Sequence, residues 1–285
     1  MPTIREIRRR IRSVQSTAKV TRAMEMVAAS KMRRAQERTI AARPYADKMA
    51  QVLADLAAQR RDGDEVHPLL IQRPVDRIAV VHIAADRGLC GGLNANVNRR
   101  TVSFVLEQSV PVTLVAVGRK GRDFMVRYGQ EVRAEFTRLG DRPSIVDIFP
   151  IARIIVDDYI AGLIDEVYLS YNQFVTTMTQ RPVLWRLLPI EPATIEARLN
   201  VEYIYEPTPD EVLAELLPRF VEMEIYHAIL ESIASEQSAR MVAMRNATDN
   251  ANELIEDLTL TYNKVRQETI TKELLDITGG AAALV

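Results

Sequence analysis

The 285-residue chain holds one cysteine, Cys90, so no disulfide can form within it, which fits a reducing compartment. Its three histidines, His67, His82 and His227, are scattered, and none stands at metal-ligand spacing from another or from Cys90. No apolar run reaches the 18 or so residues that a membrane-spanning helix needs. The first residues lack the apolar stretch of a secretion signal. They are arginine-rich and acid-poor, like a mitochondrial transit peptide, but the helical pattern runs on for some forty residues where a cleavage site would fall. With 37 basic and 38 acidic residues the net charge is −1, which argues against adhesion to nucleic acid or membrane driven by overall charge. There is no G-x-G-x-x-G and no G-x-x-x-x-G-K-[ST], no catalytic triad, and no acid pair beyond solvated helix faces. A cofactor and a self-sufficient active site are therefore not expected.

The most informative absence is of helix breakers. No proline follows Pro218 and no glycine follows it until Gly279. Roughly 60 residues of helix measure on the order of 90 Å. A compact globule of this length has a radius of gyration of roughly 19 Å. The helix is therefore expected to project and to need a partner.

That partner is legible at the other end. Thr3-Ile-Arg-Glu6 forms a capping box. From there Ile4, Ile7, Ile11, Val14, Ala18 and Thr21 recur at spacings of three and four, and the seam continues through Met24, Ala28, Met32 and Ala35. Pro44 is expected to kink this helix, with Tyr45 to Gln59 helical again and Arg60 to Pro74 a linker. The C-terminal stripe runs Met223, Tyr226 or His227, Leu230, Ile233, Met241, Met244, Thr248, Ala251, Ile255, Leu258, Tyr262, Val265 and Thr269, weak at Ser235–Ser238 and holding no strict heptad. Thr208-Pro209-Asp-Glu211 starts this segment, and Pro218 kinks or restarts it. Residues 1–45 carry 12 Lys/Arg against 3 Asp/Glu, and residues 206–276 carry 15 Asp/Glu against 6 Lys/Arg. Opposite signs suggest that the two ends meet.

The centre reads differently. Ile78 to Ala84 is a β-branched apolar run of a buried strand, followed by the turn Asp86-Arg-Gly-Leu-Cys-Gly-Gly-Leu-Asn94 and a helix over Ala95 to Gln108. Strands are expected at Val112–Val117, Glu166–Asn172, Pro182–Leu188 and Val201–Tyr205, and helices at Arg119–Tyr128 and Ile145–Leu163, the last starting at Ser144. The turn glycines Gly88, Gly91 and Gly92 have no lysine or hydroxyl where a phosphate loop needs one, so they read as structural, as does Gly118-Arg-Lys-Gly121. His82 reads as a satisfied core residue and Cys90 as a small buried one. The expected fold is mixed α+β and α/β. The N- and C-terminal helices form a long antiparallel two-helix coiled coil, and between them lies a Rossmann-like domain of about five strands. The expected domains are 1–60, 75–205 and 209–285. The arginines from Arg5 to Arg12 admit a nucleic-acid arm, but interleaved aromatics are missing and Ile4, Ile7 and Ile11 commit one face to packing. A coiled-coil scaffold is the other alternative.

Three separated segments carry a resemblance. Arg12-Ser-Val-Gln15 with Ala23-Met-Glu-Met-Val-Ala-Ala-Ser-Lys-Met-Arg33, the turn Asp86 to Asn94, and Ser235 to Asn250 with Tyr262-Asn-Lys-Val-Arg-Gln267, Ile270-Thr271 and the Gly-Gly-Ala-Ala-Ala ending resemble the gamma subunit of F-type ATP synthases. The resemblance implies a non-catalytic central rotor shaft, with ATP made or hydrolysed in beta subunits. It implies partners: three alpha and three beta subunits, an epsilon subunit and a membrane c-ring, with no nucleic acid and no nucleotide bound directly. It implies a peripheral location on the cytoplasmic face of a bacterial cell membrane. It matches Arg240, Arg266, Gln267 and Thr271 to contacts with catch loops of alpha and beta, and Met24 to a position facing an acidic lever loop of beta.

Overall fold

The computed structural model describes residues 3–58, 67–191 and 205–282. Its order is α1 (Ile4–Ala58), β1 (Ile78–Ile83), α2 (Leu93–Glu107), β2 (Val112–Val117), α3 (Arg119–Arg127), β3 (Val132–Phe136), α4 (Phe149–Ile160), β4 (Glu166–Phe174), β5 (Gln180–Leu188) and α5 (Pro209–Ala282). The chain divides into two compact units, residues 29–239 and residues 1–28 with 240–285.

In the larger unit the five strands form one sheet in the order β3-β2-β1-β4-β5. β1 pairs parallel with β2 and β4, β2 pairs parallel with β3, and only β5 runs antiparallel, against β4. Alternation along each strand sends side chains to opposite faces. Ala79, Val81 and Ile83 of β1 join Val115 and Val117 in one core, beneath α4, α5 and the second half of α1. Ile78 and Val80 join Leu114 in the other, with Phe104 of α2 and Met125 of α3. A strand buried on both faces has to be apolar throughout, as Ile78 to Ile83 is apart from His82.

Three expectations are corrected. The restart expected at Pro218 does not occur: α5 runs 74 residues through it, as α1 runs 55 through Pro44. A proline removes one hydrogen bond and crowds the preceding turn. Around Pro218 the flanking turns are held by burial, with Leu213, Leu217 and Val221 in the core, whereas around Pro44 burial resumes only at Met49, Leu53 and Leu56. The helix expected over Ile145–Leu163 is a short 3-10 turn, Ile145–Asp147, followed by α4, which restarts with a proline in its first turn. The backbone N–H and Oγ of Ser144 both donate to the Asp147 carboxylate, at 2.7 and 2.8 Å, so the serine does stand at the turn's start. β3 was not foreseen. It is an edge strand whose burial alternates and whose Arg133 and Glu135 face out. The strand expected at Val201–Tyr205 lies outside the described residues apart from Tyr205.

The weak stretch of the C-terminal stripe has a cause. Ser235 and Ser238 are fully buried, and their hydroxyls donate to the carbonyls of Asn172 (2.8 Å) and Thr177 (2.6 Å). There α5 meets the sheet through small polar side chains, so apolar periodicity is lost while burial is kept.

Candidate partner-facing surface of the helix pair

The glycine-rich turn comes first, because its phosphate-cradle reading is the one chemical alternative on the chain. The Asp86 carboxylate accepts from the backbone N–H of Arg119 at 3.0 Å and of Arg138 at 2.9 Å. Arg119 opens α3, so an anion supplied by the protein itself already stands at that helix start. Asn94 accepts from the N–H of Ala85 at 3.0 Å and ties α2 back to the end of β1. These bonds give the turn a structural role, fastening the end of β1 to α2 and α3. His82 is likewise a satisfied core residue: Nε2 lies 2.8 Å from Asn98 Oδ1, Nδ1 lies 2.9 Å from Thr101 Oγ1, and burial pulls the imidazole pKa down to about 4. Among the described residues no His, Cys, Asp and Glu cluster has the arrangement of a metal site. No described helix is long and apolar enough to cross a membrane.

The smaller unit is a pair of helices, the first part of α1 against the last part of α5. Thr3 and Glu6 close the capping box, N–H of Thr3 to Glu6 Oε2 at 2.8 Å and N–H of Glu6 to Thr3 Oγ1 at 3.3 Å. The backbone bond from Thr3 holds the Glu6 carboxyl below its ordinary pKa. The helices run antiparallel, as three contacts establish. Arg8 donates to the Tyr262 hydroxyl at 2.6 Å, Thr21 and Thr248 share a hydrogen bond of 2.7 Å, and Arg245 donates to Glu25 at 3.1 Å. The residue numbers in each pair sum to 269 or 270, so one register holds from Arg8 to Glu25.

Every position of the expected seam is buried or half-buried. The structure adds one that the sequence reading passed over. From Ile7 to Ala28 the alternation four, three, four, three is unbroken when Glu25 is counted, and Glu25 is 6 % exposed. Its carboxylate is gripped by Arg22 of its own helix at 2.8 Å and by Arg245 across the seam at 3.1 Å. Met24, which the reading placed there, stands half-buried beside it. On α5 the alternation is also strict from Met244 to Thr269, a correction to the absence of a strict heptad over the whole stripe. A charged residue breaks an apolar pattern to the eye. Heptad arithmetic alone would have kept it in place.

The charge asymmetry is carried outward. Arg5, Arg9, Arg10 and Arg12 of α1, and Asp249, Glu253, Glu256, Asp257, Glu268, Glu273 and Asp276 of α5, are exposed. The ion pair that crosses the seam has the opposite sense, with the acid on the basic helix and the base on the acidic one. Opposite signs thus accompany the meeting of the two helices, while apolar and hydroxyl side chains form most of the seam.

The five residues singled out beforehand all fall in this unit. Met24 is half-buried, Arg240 is buried, and Arg266, Gln267 and Thr271 are exposed. They form no single cluster: 26 residues of helix separate Arg240 from Arg266, about 40 Å. Beyond Thr269 the described part of α5 exposes Ile270, Leu274, Leu275 and Ile277.

Comparison with known proteins settles the class of such a chain. The family model described as ATP synthase matches residues 3–284. The ATP synthase gamma chain of Dehalococcoides mccartyi strain 195 is 63 % identical over 284 residues, covering all of both chains. The chain belongs to the ATP synthase gamma-chain family. The gamma chain of Roseiflexus sp. strain RS-1 is 55 % identical over 288 residues, covering 100 % of this chain and 99 % of that one. Among solved structures, the central stalk and c-ring structure of the Tetrahymena thermophila mitochondrial ATP synthase aligns with a TM-score of 0.61 at 25 % identity, covering 80 % of this chain and 99 % of that one. The rotor of the Euglena gracilis mitochondrial ATP synthase aligns with a TM-score of 0.67 at 19 % identity, covering 94 % and 98 %. The latter likeness speaks to the fold: a long N-terminal and a long C-terminal helix bracketing a mostly parallel five-stranded sheet.

Proposed function

We propose that the chain is the central rotor shaft of a proton-translocating ATP synthase. The observation that carries this reading is full-length identity to gamma chains, 63 % over 284 residues, in a chain whose two ends pair as antiparallel helices. The helix pair turns inside a ring of three alpha and three beta subunits. The sheet-bearing part, 75–205, binds the epsilon subunit and the membrane c-ring, while 1–60 and 209–285 make the shaft. The assembly sits on the cytoplasmic face of a bacterial membrane. Rotation driven from the c-ring makes each beta subunit change state in turn, and ATP is made or hydrolysed there, with no catalytic group on this chain.

The physics supports the assignment. Long helices with strict seams are stiff along the axis, which torque transmission requires. Contacts with a surrounding ring have to break at each step, so each is worth on the order of 1 kcal/mol or less, as exposed ionic contacts are. Arg266, Gln267 and Thr271, exposed on α5, and Met24 and Arg240 nearer Glu25 are the residues assigned to those contacts.

The test is affinity isolation of the tagged chain from its host. The reading predicts one copy per three alpha–beta pairs and ATPase activity in the complex. A chain that is isolated alone or as a homodimer, or that hydrolyses ATP by itself, would overturn it.

A further inference from the structure

Around Glu25 the seam of the helix pair is made of side chains that define a relative setting weakly. Ala18, Thr21 and Ala28 on α1 meet a stripe of Met244, Thr248 and Ala251 on α5, and small or flexible residues lose little when neighbours shift. Glu25 stands in the middle of that seam. Its side chain is 8 % exposed, whereas Arg22 and Arg245, which hold it, are 60 % and 61 % exposed.

We infer that Glu25 is a positioning residue that fixes α5 at one axial and angular setting against α1 through Arg245. A buried carboxylate without its cations is strongly unfavourable, far more so than a small shift between alanines. Arg22 belongs to the same helix, three residues away, and its bond to Glu25 survives any movement of α5. Arg245 belongs to the other helix, and its bond does not. Sliding or rolling α5 at this level therefore strands half of the carboxylate's partners. The Thr21–Thr248 hydrogen bond, one turn away, and the bond from Arg8 to Tyr262 nearer the start of α1 are directional contacts that fit the same setting. The inference concerns the helix pair itself and holds whether or not the chain turns within a complex.

The two arginines give a controlled comparison, because each supplies one bond to Glu25 and both are largely exposed. The full-length chain with Cys90→Ser, Ala18→Cys and Ala251→Cys places one thiol on each face of the seam, and the rate of disulfide formation under mild oxidation reports how constantly the faces meet. Arg245→Ala is expected to slow cross-linking several-fold, and Arg22→Ala to leave it near the parent rate. Glu25→Ala is expected to slow it as Arg245→Ala does, and Glu25→Gln, which keeps the shape and an acceptor, to recover most of the loss. Equal effects of Arg22→Ala and Arg245→Ala, or no effect of the latter, would overturn the inference. Should Glu25→Ala lose helix content by circular dichroism, the arginine comparison decides alone.

Discussion

His82 and Asn98 face each other inside the sheet-bearing unit with 2.8 Å between Nε2 and Oδ1, and both are buried. Thr101 takes the other ring nitrogen and shares a 2.6 Å bond with Ser170, so a four-residue polar layer lies under the strands. Such a layer is stable only while the ring is neutral. The folded pKa, about 4, lies below the ordinary 6.5. The layer's contribution is therefore fully present above pH 6.5 and lost as pH falls through 4, about 3 kcal/mol in all. Urea unfolding at pH 7 and pH 4.5 should show this fall, and His82→Gln should flatten it.

Glu224 works in the opposite direction. Burial, and after it the nearby charge of Glu231, raise its pKa to about 6. Its contribution is present below pH 4.5 and lost as pH rises through 6. Glu224→Gln should stabilise the protein at pH 7.5 more than at pH 4.5. A larger gain at the acid pH would contradict the assignment.

Gly118 and Gly88 make a paired prediction. At Gly118, φ is 95°, and an added Cβ would sit 1.9 Å from the carbonyl oxygen of Ala84. Gly88 has open space around it. Gly118→Ala should cost about 3 kcal/mol or more, or abolish folding, while Gly88→Ala should stay within about 1 kcal/mol. Thermal melts of the two variants check this.

Gln267→Leu and Arg240→Ala separate contact from packing. Gln267 is exposed, so its variant should keep parental stability and lose coupling between ATP hydrolysis and proton pumping. Arg240 is 9 % exposed, so its variant should lose stability as well. Met24→Lys adds a cation beside the shaft surface, and pumping should fall more than hydrolysis does. Unchanged coupling in both Gln267→Leu and Arg240→Ala would remove those residues from the contact set.

Much of this fold was legible because its signals are periodic. The seams from Ile4 to Ala35 and from Met223 to Thr269 appear as bands of burial, and β1 falls within the short apolar, β-branched run Ile78–Ala84. What escaped was decided by tertiary contact. Pro218 passes through its helix with buried Leu213, Leu217 and Val221 holding both sides. β3 is a short edge strand whose charged residues carry no strong pattern. Glu25 was hidden because a lone carboxylate in an apolar seam reads as surface until Arg245 is brought from 220 residues away. The residues assigned to partner contacts rest on resemblance, and burial sorts them: three lie open on α5, Met24 is half-buried and Arg240 is packed within the helix pair.

The most direct test of the shaft reading is to watch the chain turn. A bead attached through Val126→Cys, an exposed position on α3, in a Cys90→Ser background reports motion when the alpha–beta ring is fixed to glass. With ATP the bead should rotate in one direction, in three equal steps per turn. A complex that hydrolyses ATP while the bead stands still would contradict the account.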